Sequence, residues 1–214
     1  MPELASALAI PDSLLAKEAT GILRENATDL LFNHSLRVYL FAAELGRQQK
    51  HRFDAELLYV AAVFHDLGLL EKFSSPDERF EVDGANAARQ FLATHGLPEE
   101  QIRTVWEAIA LHTTPGIPPY MAPEVAALYS GVLLDVLGRG YDRFPAELRE
   151  EILARYPRKH FKQDFLPAYV AGFAHKPETT YGTVNASICE RYLPAFKSPN
   201  ACNLIAASPF PDSE

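Results

Sequence analysis

Residues Leu57 to Leu70 read LLYVAAVFHDLGLL, an apolar stretch in which His65 and Asp66 are the only ionisable side chains apart from Tyr59. It is shorter than the roughly 18 to 20 residues that cross a bilayer, so it belongs in the core of a folded domain. The fold must therefore bury an imidazole and a carboxylate side by side. Asp66 stands in the last turn of the helix this stretch predicts, where the helix dipole is negative and a carboxylate is disfavoured. No Lys or Arg lies within four residues of it in either direction. A desolvated carboxylate in that position requires a cation, and a metal ion supplies one.

The rest of the chain reads as helices. Asp12 is expected to cap a helix from Ser13 through Leu23. Asn33 caps a second, in which His34, Val38, Phe41 and Leu45 share one face before Gly46 ends it. Asp54 opens the third, Ala55 to Leu67, closed by Gly68, and Asp83 opens a fourth, closed by Gly96. Pro98 stands at the first position of a fifth, which carries Ile102, Val105, Ile109 and His112 down one side. Pro123 to Leu137, Pro145 to Tyr156, Asp164 to Ala174 and Val184 to Tyr192 follow, and then a Pro- and Ser-punctuated tail from Pro194. Sustained apolar/polar alternation is missing. The expected fold is all-α: one helical bundle over residues 1–214, with its core at 28–192 and the N-terminal helix and tail packed on it.

Asp135 repeats the anomaly of Asp66. It sits in GVLLDVL, residues 131–137, with no other polar side chain around it. His34 lies on the apolar face of its helix, with Arg37 one turn on. Singly, each residue has an ordinary reading: a hydrogen-bonded core histidine, Asp66 paired with Arg37, Asp135 half exposed at a helix edge. One cation accounts for all four together, since His34, His65, Asp66 and Asp135 on three helices are what a bundle-core metal site is built from.

His34, then His65-Asp66 in the form HDLG, then Asp135 in an apolar helix, resembles the HD-domain superfamily of helical metal-dependent hydrolases. That resemblance implies that these four residues are metal ligands. A narrower likeness covers roughly residues 28–192. Phe80-Glu81-Val82-Asp83-Gly84-Ala85, Ala108 to Thr114 (AIALHTT) and Lys176 to Gly182 (KPETTYG) look like the cyanamide hydratase-like branch of HD proteins. The branch implies zinc-dependent hydration of a nitrile-type carbon. Two-metal HD proteins carry a histidine where this chain has Phe80, which implies a single divalent ion. Zinc is the first expectation, with iron, manganese, nickel and cobalt open.

Two imidazoles and two carboxylates neutralise a divalent ion and leave a position for water, so Asp66 and His112 are expected at the chemistry. His112 reads equally as a hydrogen-bonded histidine at a helix end. Arg37, Phe80, Thr113 and Thr179 are the expected substrate contacts. The chain has 20 basic and 28 acidic residues, a formal charge of −8. That balance excludes a nucleic-acid footprint and gives no reason to expect an anionic membrane as partner. A small neutral C≡N substrate suits it better than a nucleotide or other phosphate ester, which would need several converging cations. A metal-stabilised small-molecule-binding module is the remaining alternative. The N-terminus has no basic segment ahead of an apolar block, so no signal peptide is expected. Cys189 and Cys202 form no CxxC pair, as in a reduced cytoplasmic setting, and a homo-oligomer stays open.

Overall fold

A computed structural model describes residues 8–210. Among these there are ten α-helices, joined by short 3₁₀ turns, and no strand. Residues 1–7, the first part of the segment on which the signal-peptide expectation rests, lie outside the described residues. No helix of the described chain is long and apolar enough to cross a membrane.

Side-chain caps set several boundaries. Helix α1 (Leu14–Asn26) is capped by Ser13 rather than Asp12, the Ser13 Oγ accepting from the Ala16 amide at 3.0 Å. Helix α2 (Asp29–Gln48) begins at Thr28, whose hydroxyl faces the Leu31 amide, and runs on past Gly46. The expected cap Asn33 is interior, because Leu31 and Phe32 already belong to the buried face. Helix α3 (Ala55–Phe64) is capped by Asp54 as expected, with the Glu56 and Leu57 amides donating to Oδ1.

Helix α3 ends at Phe64, three residues earlier than its apolar content suggests, and the chain turns through His65-Asp66 into a 3₁₀ turn at Leu67–Leu69. The cause is a backbone-to-backbone contact. A Cβ on Gly68 would lie 1.9 Å from the Phe80 carbonyl oxygen, and one on Gly84 would lie 2.9 Å from that of Phe64. The two glycines let the turn after His65-Asp66 sit directly on the start of α4 (Phe80–Thr94), which opens at Phe80 rather than Asp83. Asp83 instead pairs with the fully buried Lys176, the first residue of the KPETTYG segment.

Helices α5 (Glu99–Leu111), α6 (Pro123–Leu137), α7 (Ala146–Arg155), α8 (Phe161–Ala171) and α9 (Val184–Tyr192) follow. Pro98 is the N-cap residue of α5, not its first helical residue, and α8 starts before Asp164 and carries Pro167 in its interior. The tail holds a short helix, α10 (Ala201–Ala206), that buries no residue, with Leu204 53% and Ile205 75% exposed. The tail expected from Pro194 onward is divided: Phe196 is partly buried against a core cluster of the bundle, whereas Leu204, Ile205 and Phe210 face water. The N-terminal helix does pack, through Leu15, Ala16, Ala19 and Leu23.

Helices α2 and α6 run antiparallel in close contact. A Cβ on Gly131 would lie 2.5 Å from the Val38 carbonyl oxygen and 2.8 Å from the Ala42 Cβ. One turn along from this approach, His34 faces Asp135. Phe161, Phe165, Tyr169 and Phe173 of α8 and its end form a second apolar cluster with Phe80, Leu31 and Cys189. This cluster reaches the His34 ring, which lies 5.5 Å from Phe161 and 5.2 Å from Phe165, centre to centre.

Candidate metal centre

Helix α2 contributes His34 to the core, the end of α3 contributes His65 and Asp66, and the end of α5 contributes His112, all of them buried. His34 Nε2 and His65 Nε2 are 3.2 Å apart, and Asp66 Oδ2 lies 3.4 Å from each. His112 Nε2 stands 3.6 Å from the other Asp66 oxygen. Metal-donor atoms of His34, His65 and Asp66 all lie within 4.8 Å of one another.

An inventory of protons identifies what such a cluster can hold. His34 Nδ1 is 2.7 Å from a carboxylate oxygen of Asp135, and a carboxylate only accepts, so this nitrogen carries the proton. His65 Nδ1 likewise donates to the Ala62 carbonyl at 2.8 Å, and His112 Nδ1 to that of Ile109 at 2.6 Å. Burial, reinforced by His112 and His34 and outweighing Asp66, pushes the His65 pKa down to about 3, so its ring is neutral. His65 Nε2 therefore presents a lone pair to His34 Nε2 and to Asp66. Asp66 Oδ2 is buried without a hydrogen-bond partner. Three metal-donor groups this close together, one of them a carboxylate oxygen without a hydrogen-bond partner, are satisfied by a cation. The 3.2 to 3.4 Å edges also match the spacing of about 3.3 Å between ligands of a tetrahedral ion with bonds of about 2.0 to 2.1 Å. The residues present fit a divalent metal.

Asp135, expected as a fourth ligand, is placed otherwise. Its Oδ2 accepts from His34 Nδ1 and from Arg37 Nη2 at 2.9 Å, and its Oδ1 accepts from Arg37 Nε at 2.8 Å and Arg158 Nη1 at 2.7 Å. Burial alone would raise its pKa, but the His34 and Arg37 hydrogen bonds more than offset this and hold it well below the usual carboxylate range. Both oxygens are committed, so Asp135 reaches the cluster only through His34, fixing that ring's tautomer and orientation. Arg37, expected to touch substrate, is fully buried in the same pair and also bonds the Tyr156 carbonyl at 3.2 Å.

A cavity of about 340 Å³ opens from the cluster. His34, His65, Asp66 and His112 line one part of it, with Thr113 beside them. Much of the remaining lining is apolar, among it Val132 of α6, Phe165 of α8 and Ile188 of α9. Phe80, expected at the substrate, lies behind His112 with ring centres 5.6 Å apart and does not line the cavity. Thr179 donates to the Lys176 carbonyl at 2.8 Å inside its own turn and also stands off the cavity. Sequence reasoning missed the polar wall: Tyr169 donates to Asn185 Oδ1 at 2.9 Å, and Asn185 Nδ2 donates to Glu81 Oε1 at 3.0 Å. Glu81 is fully buried, accepts from the Thr113 hydroxyl and pairs with Arg79 at 2.9 Å. Burial would raise its pKa, but Arg79, His112 and Thr113 together lower it. A buried carboxylate in the first turn of a helix was the available signal, and it sits in the FEVDGA motif.

All-α packing, the His34, His65-Asp66 spacing and a donor set fit for a divalent ion define a helical bundle with a metal site in its core. The sequence pattern of the HD domain matches residues 31–158, more than half of the chain, and the protein belongs to that family. Two proteins of Saccharomyces cerevisiae, cyanamide hydratase DDI2 and cyanamide hydratase DDI3, are each 27% identical to it over 172 residues. The match covers 78% of this chain and 76% of each relative.

Proposed function

We propose that this protein is a zinc-dependent hydratase that adds water across a C≡N bond. The observation that carries the reading is the buried cluster of His34, His65 and Asp66 in a largely apolar cavity nearly free of cations. The two relatives are named for hydration of cyanamide, and the likeness supports carrying that chemistry here. A divalent ion held by His34, His65 and Asp66 would lower the pKa of a water toward about 7 and polarise the C≡N group.

His112 moves the proton. Its Nδ1–H is held by the Ile109 carbonyl, so Nε2 is free to accept a proton from the water and return it to the substrate nitrogen. Asp66 Oδ1, 3.6 Å away, stabilises the imidazolium that forms between those two transfers. The water oxygen bonds to carbon, one of its protons passes through His112 to the nitrile nitrogen, and the second moves from oxygen to nitrogen as the isourea so formed tautomerises to urea. Thr113 and Asn185, held by Glu81, offer the polar contacts that orient the substrate.

Phosphate-ester hydrolysis is the other chemistry the site must be measured against. It would want several cations converging on the oxygens. Arg37 and Arg158 are committed to Asp135, Arg79 to Glu81 and Lys176 to Asp83, and among the described residues Arg139 is the one Arg or Lys lining the cavity. The deciding assay pairs urea release from cyanamide with phosphate release from nucleoside mono- and triphosphates, using zinc-loaded protein. Urea formation is expected, slowed about 10² to 10⁴-fold in His112→Ala. Phosphate release without urea formation would overturn the reading.

A further inference from the structure

The cavity is much larger than cyanamide requires. At about 340 Å³ it has room for about eleven water molecules of about 30 Å³ each, whereas cyanamide has three non-hydrogen atoms. Its size falls in the range of about 300 to 1,000 Å³ that holds larger organic ligands.

Tyr129, Val132, Leu133, Val136 and Leu137 form one continuous face of α6 along the cavity, spaced i, i+3, i+4, i+7 and i+8. At about 1.5 Å per residue this face is about 12 Å long. Phe165 of α8 and Ile188 of α9 add to the apolar lining. Of the lining residues, Leu137 is 63% and Val184 42% exposed, and Arg139, just past the end of α6, also lines the cavity. Among the described residues the Arg139 side chain has no hydrogen-bond or ion-pair partner. The polar cluster thus stands at one part of the cavity, with the apolar walls and a single unpaired cation completing it.

Building on the hydratase reading, we infer that the substrate is an elongated organic nitrile or substituted cyanamide. Its C≡N group meets the histidine–aspartate cluster, its apolar body rests on the α6 wall, and an acidic group at its other end pairs with Arg139. Arg139 and the α6 face are then the specificity determinants, and cyanamide is a truncated substrate that uses the chemistry without the body.

The test is calorimetric titration of zinc-loaded protein with 3-(4-cyanophenyl)propanoate and with its methyl ester, followed by assay of the same samples for amide. The acid is expected to bind at least about tenfold more tightly than the ester, as a charge-assisted bidentate contact to arginine would give. Arg139→Gln is expected to reduce the acid to the affinity of the ester. Val132→Trp, which fills the apolar body site, is expected to weaken both by about tenfold or more. Equal affinities for acid and ester in the unaltered protein, or no loss in Val132→Trp, would overturn the inference. Tight binding of the acid with no amide formed from it, and no urea from cyanamide, would sink the hydratase reading while supporting the assigned ligand shape. Urea formation with neither aryl nitrile bound would do the reverse.

Discussion

Asp66 Oδ2 is a buried anionic oxygen with nothing to donate to it, and the metal assignment turns on that atom. Without a cation, an ionised carboxylate in this position costs stability. With one, it becomes a ligand. Asp66→Asn is therefore expected to change sign with metal: more stable than the unaltered protein by about 1 to 3 kcal/mol after chelation, and less stable than it in excess zinc. Urea unfolding in both states measures this, and a variant that is weaker in both would argue against a cation there. His65→Ala should abolish tight zinc binding outright. Asp135→Asn should weaken zinc affinity only about 10- to 100-fold, as the loss of a group that orients a ligand does. Competition against a chromophoric chelator separates the two outcomes.

Among the elements, glycine positions decide how closely helices meet. Gly131 admits the Val38 carbonyl of α2, and this approach puts His34 against Asp135. Gly131→Ala is expected to destabilise at the upper end of about 1 to 3 kcal/mol by overpacking. Gly21, inside α1 with nothing within 4 Å of a Cβ, supplies the control: Gly21→Ala should stabilise by about 0.5 to 1 kcal/mol. Chemical denaturation of both variants checks the pair, and similar losses in both would refute the close-approach argument. At the end of α4, His95 Nδ1 donates to the Phe91 carbonyl at 2.8 Å and Nε2 meets Glu18 of α1 at 2.8 Å. The Phe91 carbonyl and then the Glu18 carboxylate raise the His95 pKa above its ordinary 6.5. The sign follows from linkage: a raised folded-state value stabilises fully below the unfolded pKa and is lost as pH rises through the folded one. The stability gap between the unaltered protein and His95→Gln should thus be larger at about pH 5.5 than at about pH 8.5. An equal gap at both would mean that the α1–α4 tie carries no charge.

For the molecule as a whole, metal binding and folding are one equilibrium. Free zinc at about 100 times its dissociation constant should add about 2.7 kcal/mol, which for a chain of 214 residues raises Tm by roughly 5 to 11 °C. Calorimetry before and after chelation reads this, and elemental analysis should find one tightly held ion per chain. Two would place donors beyond the His34–His65–Asp66 cluster. The sequence by itself determined the all-α class, most of the helices and the two imidazoles and one carboxylate that gather. Helical periodicity and charged groups inside apolar runs are local signals, readable without a partner. Asp66 and Asp135 look alike on those terms, yet tertiary structure separates them. Helices α2 and α6 cross so that Asp135 meets the far nitrogen of His34 together with two arginines, while the turn forced by Gly68 aims Asp66 at the near ones. Arg37, Phe80 and Thr179 stand off the cavity for the same reason, and Asn185, held from behind by Glu81, lines it. Which face of a helix a residue occupies follows from spacing along the chain. Which atom it then touches depends on the angle and distance at which another helix arrives, and only the packed fold sets those.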